Sequence, residues 1–197
     1  VARQLRREVE KIRDDFPQLA LVVLNDSSRY ISSALSSVGT SALFGALIAG
    51  VVLMLFLRSL RSVLVISISI PFAMIATFVL MYAAGFTLNV MSLGGLAMGV
   101  GMMVDNSIVV LENAYRLRRK GRPSLEAAVE GAGEVTAAVT ASTLTTIVVF
   151  LPLVFTQGVA GILYKQLALV VSFALVASLV SSLTLAPMMS ARLLTRP

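Results

Sequence analysis

The sequence predicts an all-α integral membrane protein, with five transmembrane helices and a small α/β remnant at the N-terminus. Three observations carry that expectation. Hydrophobic residues make up 57% of the 197 positions and charged residues only 13%, with a mean hydropathy of +0.92; a soluble domain has roughly 25% charged residues. The apolar residues gather in five long continuous runs. Open sheets cannot span lipid, and a barrel would show short alternating segments instead. Finally, Lys and Arg are divided unequally between the links that join the runs, which gives the runs an orientation.

Residues 1–30 read as the C-terminal remnant of a domain outside the membrane. Val1, Leu5, Val9, Ile12 and Phe16 recur at spacings of four, four, three and four, one apolar stripe of a helix that Pro17 closes. The stretch 18–24, QLALVVL, reads as a strand bounded by Asn25-Asp26. One helix and one strand bury too little to fold alone, so they need partners from elsewhere. The opening VARQLRREVEKIRDDF has no apolar leader segment, and the chain is expected to begin inside a longer protein. Asp26, Ser27 and Ser28 supply N-cap chemistry for the helix that follows.

Residues 31–197 form the transmembrane domain. The expected spans are 38–57, 63–84, 90–113, 135–155 and 167–185, each near the 20 or so apolar residues a bilayer requires. Pro71 and Pro152 stand where they would kink their helices, and Pro187 lies just past the last span. Between the third and fourth spans, Pro123-Ser124-Leu125-Glu126 reads as a helix start, with Ser124 as cap. A short interfacial helix to about Gly131 is expected there.

Arg58, Arg61, Arg116, Arg118, Arg119, Lys120, Arg122, Arg192 and Arg196 all fall on one side of the predicted membrane, whereas the links on the other side hold only Lys165. The nine are placed in the cytoplasm and the N-terminal segment outside. That segment carries six basic residues of its own, offset by five acids. The net charge of +6 is therefore read as cytoplasmic loop charge, able to meet anionic lipid, and not as a nucleic-acid surface.

Cysteine, histidine and tryptophan are absent. This excludes disulfides, Cys/His metal clusters and His-dependent nucleophiles, so neither an enzyme nor a bound cofactor is expected. The nine methionines read as packing.

The third span, LNVMSLGGLAMGVGMMVDNSIVVLEN, organises the rest. Asp105 is the one charged residue between Val90 and Leu111. A carboxylate at that depth costs at least about 2.5–3.5 kcal/mol on insertion scales, which points to transport, proton relay or ligand binding. Met98, Gly101, Asp105, Ile108 and Glu112 share a helix face, and Gly95 and Gly99 form a GxxxG on the next. The helix is thus expected inside a bundle, with Asp105 away from lipid. No Lys or Arg lies within any span, so either Asp105 is protonated or its base comes from another segment. Glu112 reads as a solvated end charge. Thr136, Thr140 and Thr143 recur at helical spacing in the fourth span; they either line a hydrated path to Asp105 or bond to carbonyls one turn back.

GMMVDNSIVVLEN, 101–113, resembles the signature of the fourth transmembrane helix of resistance–nodulation–division (RND) transporters. FLRSLRSVLVISISIPFAMIATFVLMYAAGFTLNVMSL is similar to that family's second and third helices. FLPLVFTQGVAGILYKQLALVVSFALVASLVSSLTLAPMMSARLL is similar to its fifth and sixth. The resemblance covers about residues 20–195 and implies helices two to six of the N-terminal half, in the branch that exports hydrophobic and amphiphilic drugs.

It further implies drug/proton antiport in the bacterial inner membrane, with the N-terminal segment periplasmic and the proton as coupling ion. Asp105 aligns with the proton-carrying aspartate. Asn106, which stands where many members have a second Asp and many others Asn, is assigned to the proton relay with Asp105, though it leaves that relay with one carboxylate instead of two. Asn89 matches a polar position at the start of the same helix. The implied partners are a second half that supplies a Lys to Asp105, two further copies in a homotrimer, a periplasmic adaptor and an outer-membrane channel. Substrate sites would lie in large periplasmic domains. Sterol- or lipid-sensing modules share the five-helix outline and form the alternative; the related protein-translocation helper differs after the Asp.

Overall fold

The structure is a computed structural model, and it describes residues 8–9, 11–12, 16, 27–57 and 60–193. Five helices follow one another: α1 (Ser27–Leu57), α2 (Leu60–Ala83), α3 (Val90–Arg119), α4 (Ser124–Val154) and α5 (Gly158–Leu193). No strand occurs among the described residues, and the strand expected over 18–24 lies outside them. Of the expected N-terminal helix, residues 8, 9, 11 and 12 are helical, with Lys11 Nζ 2.9 Å from Glu8 Oε1.

Four helices among the described residues are long and apolar enough to cross a membrane: Val63–Ala83, Val90–Arg119, Ser124–Val154 and Ala160–Arg192. The run 38–57 lies within α1, whose side chains are only partly described. Most of the helices outlast the apolar windows. At 1.5 Å per residue, the 30 residues of α3 reach about 45 Å, half as long again as a bilayer's hydrocarbon. Polar ends do not stop a helix, because its backbone bonds are satisfied internally. For the same reason no separate interfacial helix exists at 124–131: α4 runs unbroken from Ser124 to Val154. Pro123, not Ser124, holds the N-cap position and Ser124 is the first helical residue. Pro187 likewise lies inside α5.

Glycine permits two of the sharp turns. Gly85 has φ 73°, and its N–H bonds Tyr82 O while Phe86 N–H bonds Met81 O. Gly121 has φ 91°, and the same pair of bonds runs from Gly121 to Arg118 O and from Arg122 to Leu117 O. Both are Schellman endings, which need a left-handed residue that glycine adopts without strain.

Helix α3 is the hub, packing on all four others, and α5 packs on α2, α3 and α4. The α3–α5 seam is built from small residues in parallel register. A Cβ placed on Gly95 would lie 2.9 Å from Leu167 O and 3.2 Å from Val170 Cβ; one on Gly99 would lie 2.5 Å from Ala174 Cβ. One turn further, Ser178 Oγ donates to Met103 O at 2.8 Å. The step of four carries on to Ser107 and Ser182, both buried. Small residues let the backbones approach this closely, and close packing is what holds helices together in lipid. Gly131 does the same for α4, where an added Cβ would meet Ala114 Cα at 2.7 Å. Phe86 closes the α2–α3 turn edge-on against Phe173 of α5, with ring centres 5.8 Å apart. Leu144, Val148 and Val149 on α4, and Phe155 just past its end, stay exposed.

Candidate functional site

Successive helical residues point about 100° apart, and the site at the middle of α3 follows from that rotation. Gly95, Gly99 and Met103 face α5, and Asn106 faces α4. Met98, Gly101, Asp105, Val109 and Glu112 recur every three or four residues along a third face, and all five are exposed. The face that holds Asp105 is therefore not covered by the described residues. Expected inside a bundle, Asp105 instead lies on the side of the five-helix unit left open. Ile108, expected on the same stripe, is half-buried and packs against the core. Gly101 has no heavy atom within 4 Å of where a Cβ would stand, so the tight glycines of α3 are Gly95 and Gly99.

Asp105 makes no hydrogen bond or ion pair among the described residues. Its neighbour does. Asn106 Nδ2 donates to Thr143 Oγ1 at 3.1 Å, and Thr143 Oγ1 donates to Val139 O at 2.8 Å. Thr136 bonds back to Ala132 O at 2.7 Å, and Thr145 and Thr146 do likewise one turn behind themselves. Thr140 is half-buried. None of these hydroxyls is hydrogen-bonded to Asp105.

Asn89 is the N-cap of α3. Its Oδ1 accepts from Met91 N and Ser92 N at 2.9 Å, and Ser92 Oγ accepts from Asn89 N at 2.8 Å. That is a capping box, with Ser in the place of the usual acid. Asn89 Nδ2 also donates to Gln166 Oε1 of α5 at 2.6 Å. Asn89 thus secures the expected periplasmic ends of α3 and α5 to each other, about 24 Å along the helix from Asp105.

Sequence reasoning missed a polar cluster at the other end of α3. Arg116 Nη2 lies 2.6 Å from Glu134 Oε2, and Arg116 Nε donates to Asn113 Oδ1 at 2.8 Å. Asn113 Nδ2 donates to both Glu134 Oε2 and Gly131 O at 2.8 Å. Above the cluster a groove of about 690 Å³ opens between α3 and α4. One signal for this contact was present in the sequence. Ala127, Ala128, Gly131 and Ala132 form two small-residue pairs four apart, and all four are buried.

This arrangement defines a class: a polytopic helical membrane segment whose hub helix carries an acid on an exposed face. The whole chain, 1–197, matches the AcrB/AcrD/AcrF family, and the protein belongs to that family of RND transporters. It is 37% identical over 193 residues to the swarming motility protein SwrC of Bacillus subtilis, covering 96% of this chain and 18% of the relative. It is 38% identical over 191 residues to the multidrug resistance protein MdtC of Pectobacterium atrosepticum, covering 96% and 19%. The MdtC of Yersinia enterocolitica is also 38% identical, over 192 residues, covering 97% and 19%. The chain thus spans under a fifth of the length of these relatives.

Proposed function

We propose that this chain is the helix-two-to-six segment of a proton-coupled multidrug exporter of the bacterial inner membrane, with Asp105 as its proton carrier. The observation that carries the reading is the placement of that side chain. Asp105 sits halfway along the hub helix, on the uncovered face, with no cation among its neighbours. A carboxylate so placed binds a proton when dry and releases it when a base or water arrives. The second half of the transporter would cover this face and bring the Lys that the family resemblance implies. Gly101, with open space beside it, lets that half come close to Asp105.

Protonation then changes what the face will pack against, and a helix packed on all four others transmits the change. Asn106 supports α3 from α4 and carries no proton. Thr136, Thr140 and Thr143 belong to the polar lining behind it. The chain's likeness to the MdtC multidrug resistance proteins supports a drug substrate. A trimer, a periplasmic adaptor and an outer-membrane channel belong to the same proposal, as does a periplasmic N-terminus. The test is Asp105→Asn in the complete transporter. Drug export and its coupled proton flux are expected to be lost while the protein still reaches the membrane. Unchanged export would overturn the reading.

A further inference from the structure

We infer that Glu112 is a second proton-carrying carboxylate, the cytoplasmic station between Asp105 and bulk water, and that the groove at the end of α3 is its vestibule. The inference rests on the reading of Asp105 given above. Its basis is the line these residues make. Asp105, Val109, Glu112 and Arg116 follow at spacings of four, three and four, so they stack on one helix face. The groove is lined by Val109, Glu112, Asn113, Arg116 and Lys120 of α3 and by Val135 of α4. It is the continuation of the open Asp105 face toward the cytoplasmic end, and it reaches inward as far as Val109. From there to Asp105 is one turn, about 6 Å, and from Asp105 to Glu112 about 10.5 Å. Its volume of about 690 Å³ leaves ample room for waters. A few of them bridge the remaining distance.

Arg116, one turn along from Glu112 on the same face, is engaged elsewhere. Arg116 is turned toward α4 by Glu134 at 2.6 Å and by Asn113 at 2.8 Å. Glu112 makes no ion pair among the described residues. Among the described residues, the other ionisable groups facing the groove are Tyr115, Arg119 and Lys120, all on α3, with Glu134 bordering it from α4, and α1, α2 and α5 contribute none of its lining. Arg119 and Lys120 lie beyond Glu112 toward the cytoplasm, so the carboxylate is the innermost ionisable group of the vestibule.

The transfer balances without another reactant. The Asp105 carboxyl gives its proton to a water chain, and the Glu112 carboxylate takes one from the chain's far end. Asp105 is left an anion and Glu112 neutral. Glu112 then releases its proton to cytoplasmic water and regains its charge.

The experiment uses the complete transporter purified into proteoliposomes, with rates scaled to folded protein. Proton flux coupled to drug transport is measured against cytoplasmic-side pH for Glu112→Gln, Glu112→Asp and Asp105→Asn. Glu112→Gln is expected to slow turnover about ten-fold or more and to flatten its dependence on cytoplasmic pH, since an amide cannot carry a proton. Glu112→Asp is expected to restore most of the rate. Wild-type rate and pH profile in Glu112→Gln would overturn the inference. So would equal losses in Gln and Asp variants with an unchanged profile, which mark a structural role. If Asp105→Asn keeps coupled flux, the underlying relay reading fails, a result read from a different variant.

Discussion

Asn106 Nδ2 reaches Thr143 Oγ1 at 3.1 Å, while Asp105, one residue earlier, has no hydrogen-bond or ion-pair partner among the described residues. Two neighbours in sequence are thus separated by the helix's rotation into a structural tie and an open acid. The tie joins the middle of α3 to α4 through a hydroxyl that is itself anchored to Val139 O. Interhelical hydrogen bonds in membranes average about 0.6 kcal/mol. Asn106→Ala and Thr143→Val are each expected to lower stability by about that much, and the double variant by no more than either alone. An unfolding titration of the complete transporter checks the cycle. Drug export should survive Asn106→Ala, because the acid beside it is untouched.

A sharper contrast separates the glycines. Gly99→Leu would drive a side chain into Ala174, where even a Cβ would come within 2.5 Å. Over-packing of this kind costs about 1–3 kcal/mol, so the variant is expected to fold poorly. Gly101 has open space within this chain. Gly101→Leu is expected to leave membrane insertion normal yet lower export, since the bulk falls where the second half would seat. Comparing folded yield with export rate for the two variants checks the prediction. Normal export in Gly101→Leu would mean that nothing docks on the Asp105 face.

That contrast also marks where reading the sequence stops. Periodicity placed Met98, Gly101, Asp105 and Glu112 on one face, and those residues do share it. Periodicity does not say which face a neighbour covers. Gly101 and Gly99 are chemically identical, and only α5, some 70 residues further on, makes one of them tight. Ser124, Leu125 and Glu126, following Pro123, suggested the start of a short helix lying along the membrane surface. They are in fact the polar end of a continuous helix, with Glu126 and Glu130 reaching toward Arg122 at 3.9 Å and 3.6 Å. Hydropathy measures what surrounds a helix and says nothing of where its backbone bonds end. The tie from Asn89 to Gln166 was equally out of reach, because no short-range pattern pairs residues 77 apart.

The Asn89 arrangement makes a graded prediction. Asn89→Ala removes both the N-cap acceptor and the bond to Gln166. Loss of a cap costs about 0.5–2 kcal/mol, and loss of the tie adds roughly 0.6 kcal/mol. Gln166→Ala removes the tie alone and is expected to cost only the smaller amount. Asn89→Asp keeps the cap but gives up the donor, so it should resemble Gln166→Ala. Thermal unfolding of the three variants checks the order. Equal losses in Asn89→Ala and Gln166→Ala would show that the cap contributes nothing.

The last prediction concerns the bracket that turns Arg116 away from Glu112. Arg116 and Glu134 are each about half exposed, 49% by side chain, and exposed ion pairs add little to stability. Glu134→Gln is therefore expected to leave stability nearly unchanged. Its effect on transport should be larger than its effect on folding. With the acid gone, the Arg116 guanidinium is free to swing about its own helix toward Glu112, four residues earlier on the same face. A guanidinium there would occupy the carboxylate oxygens that the water chain has to reach. Coupled proton flux in Glu134→Gln is expected to fall, and Arg116→Gln in the same protein should recover it. Recovery by the second substitution separates a captured carboxylate from a merely weakened contact between α3 and α4, which losing Arg116 as well could not repair.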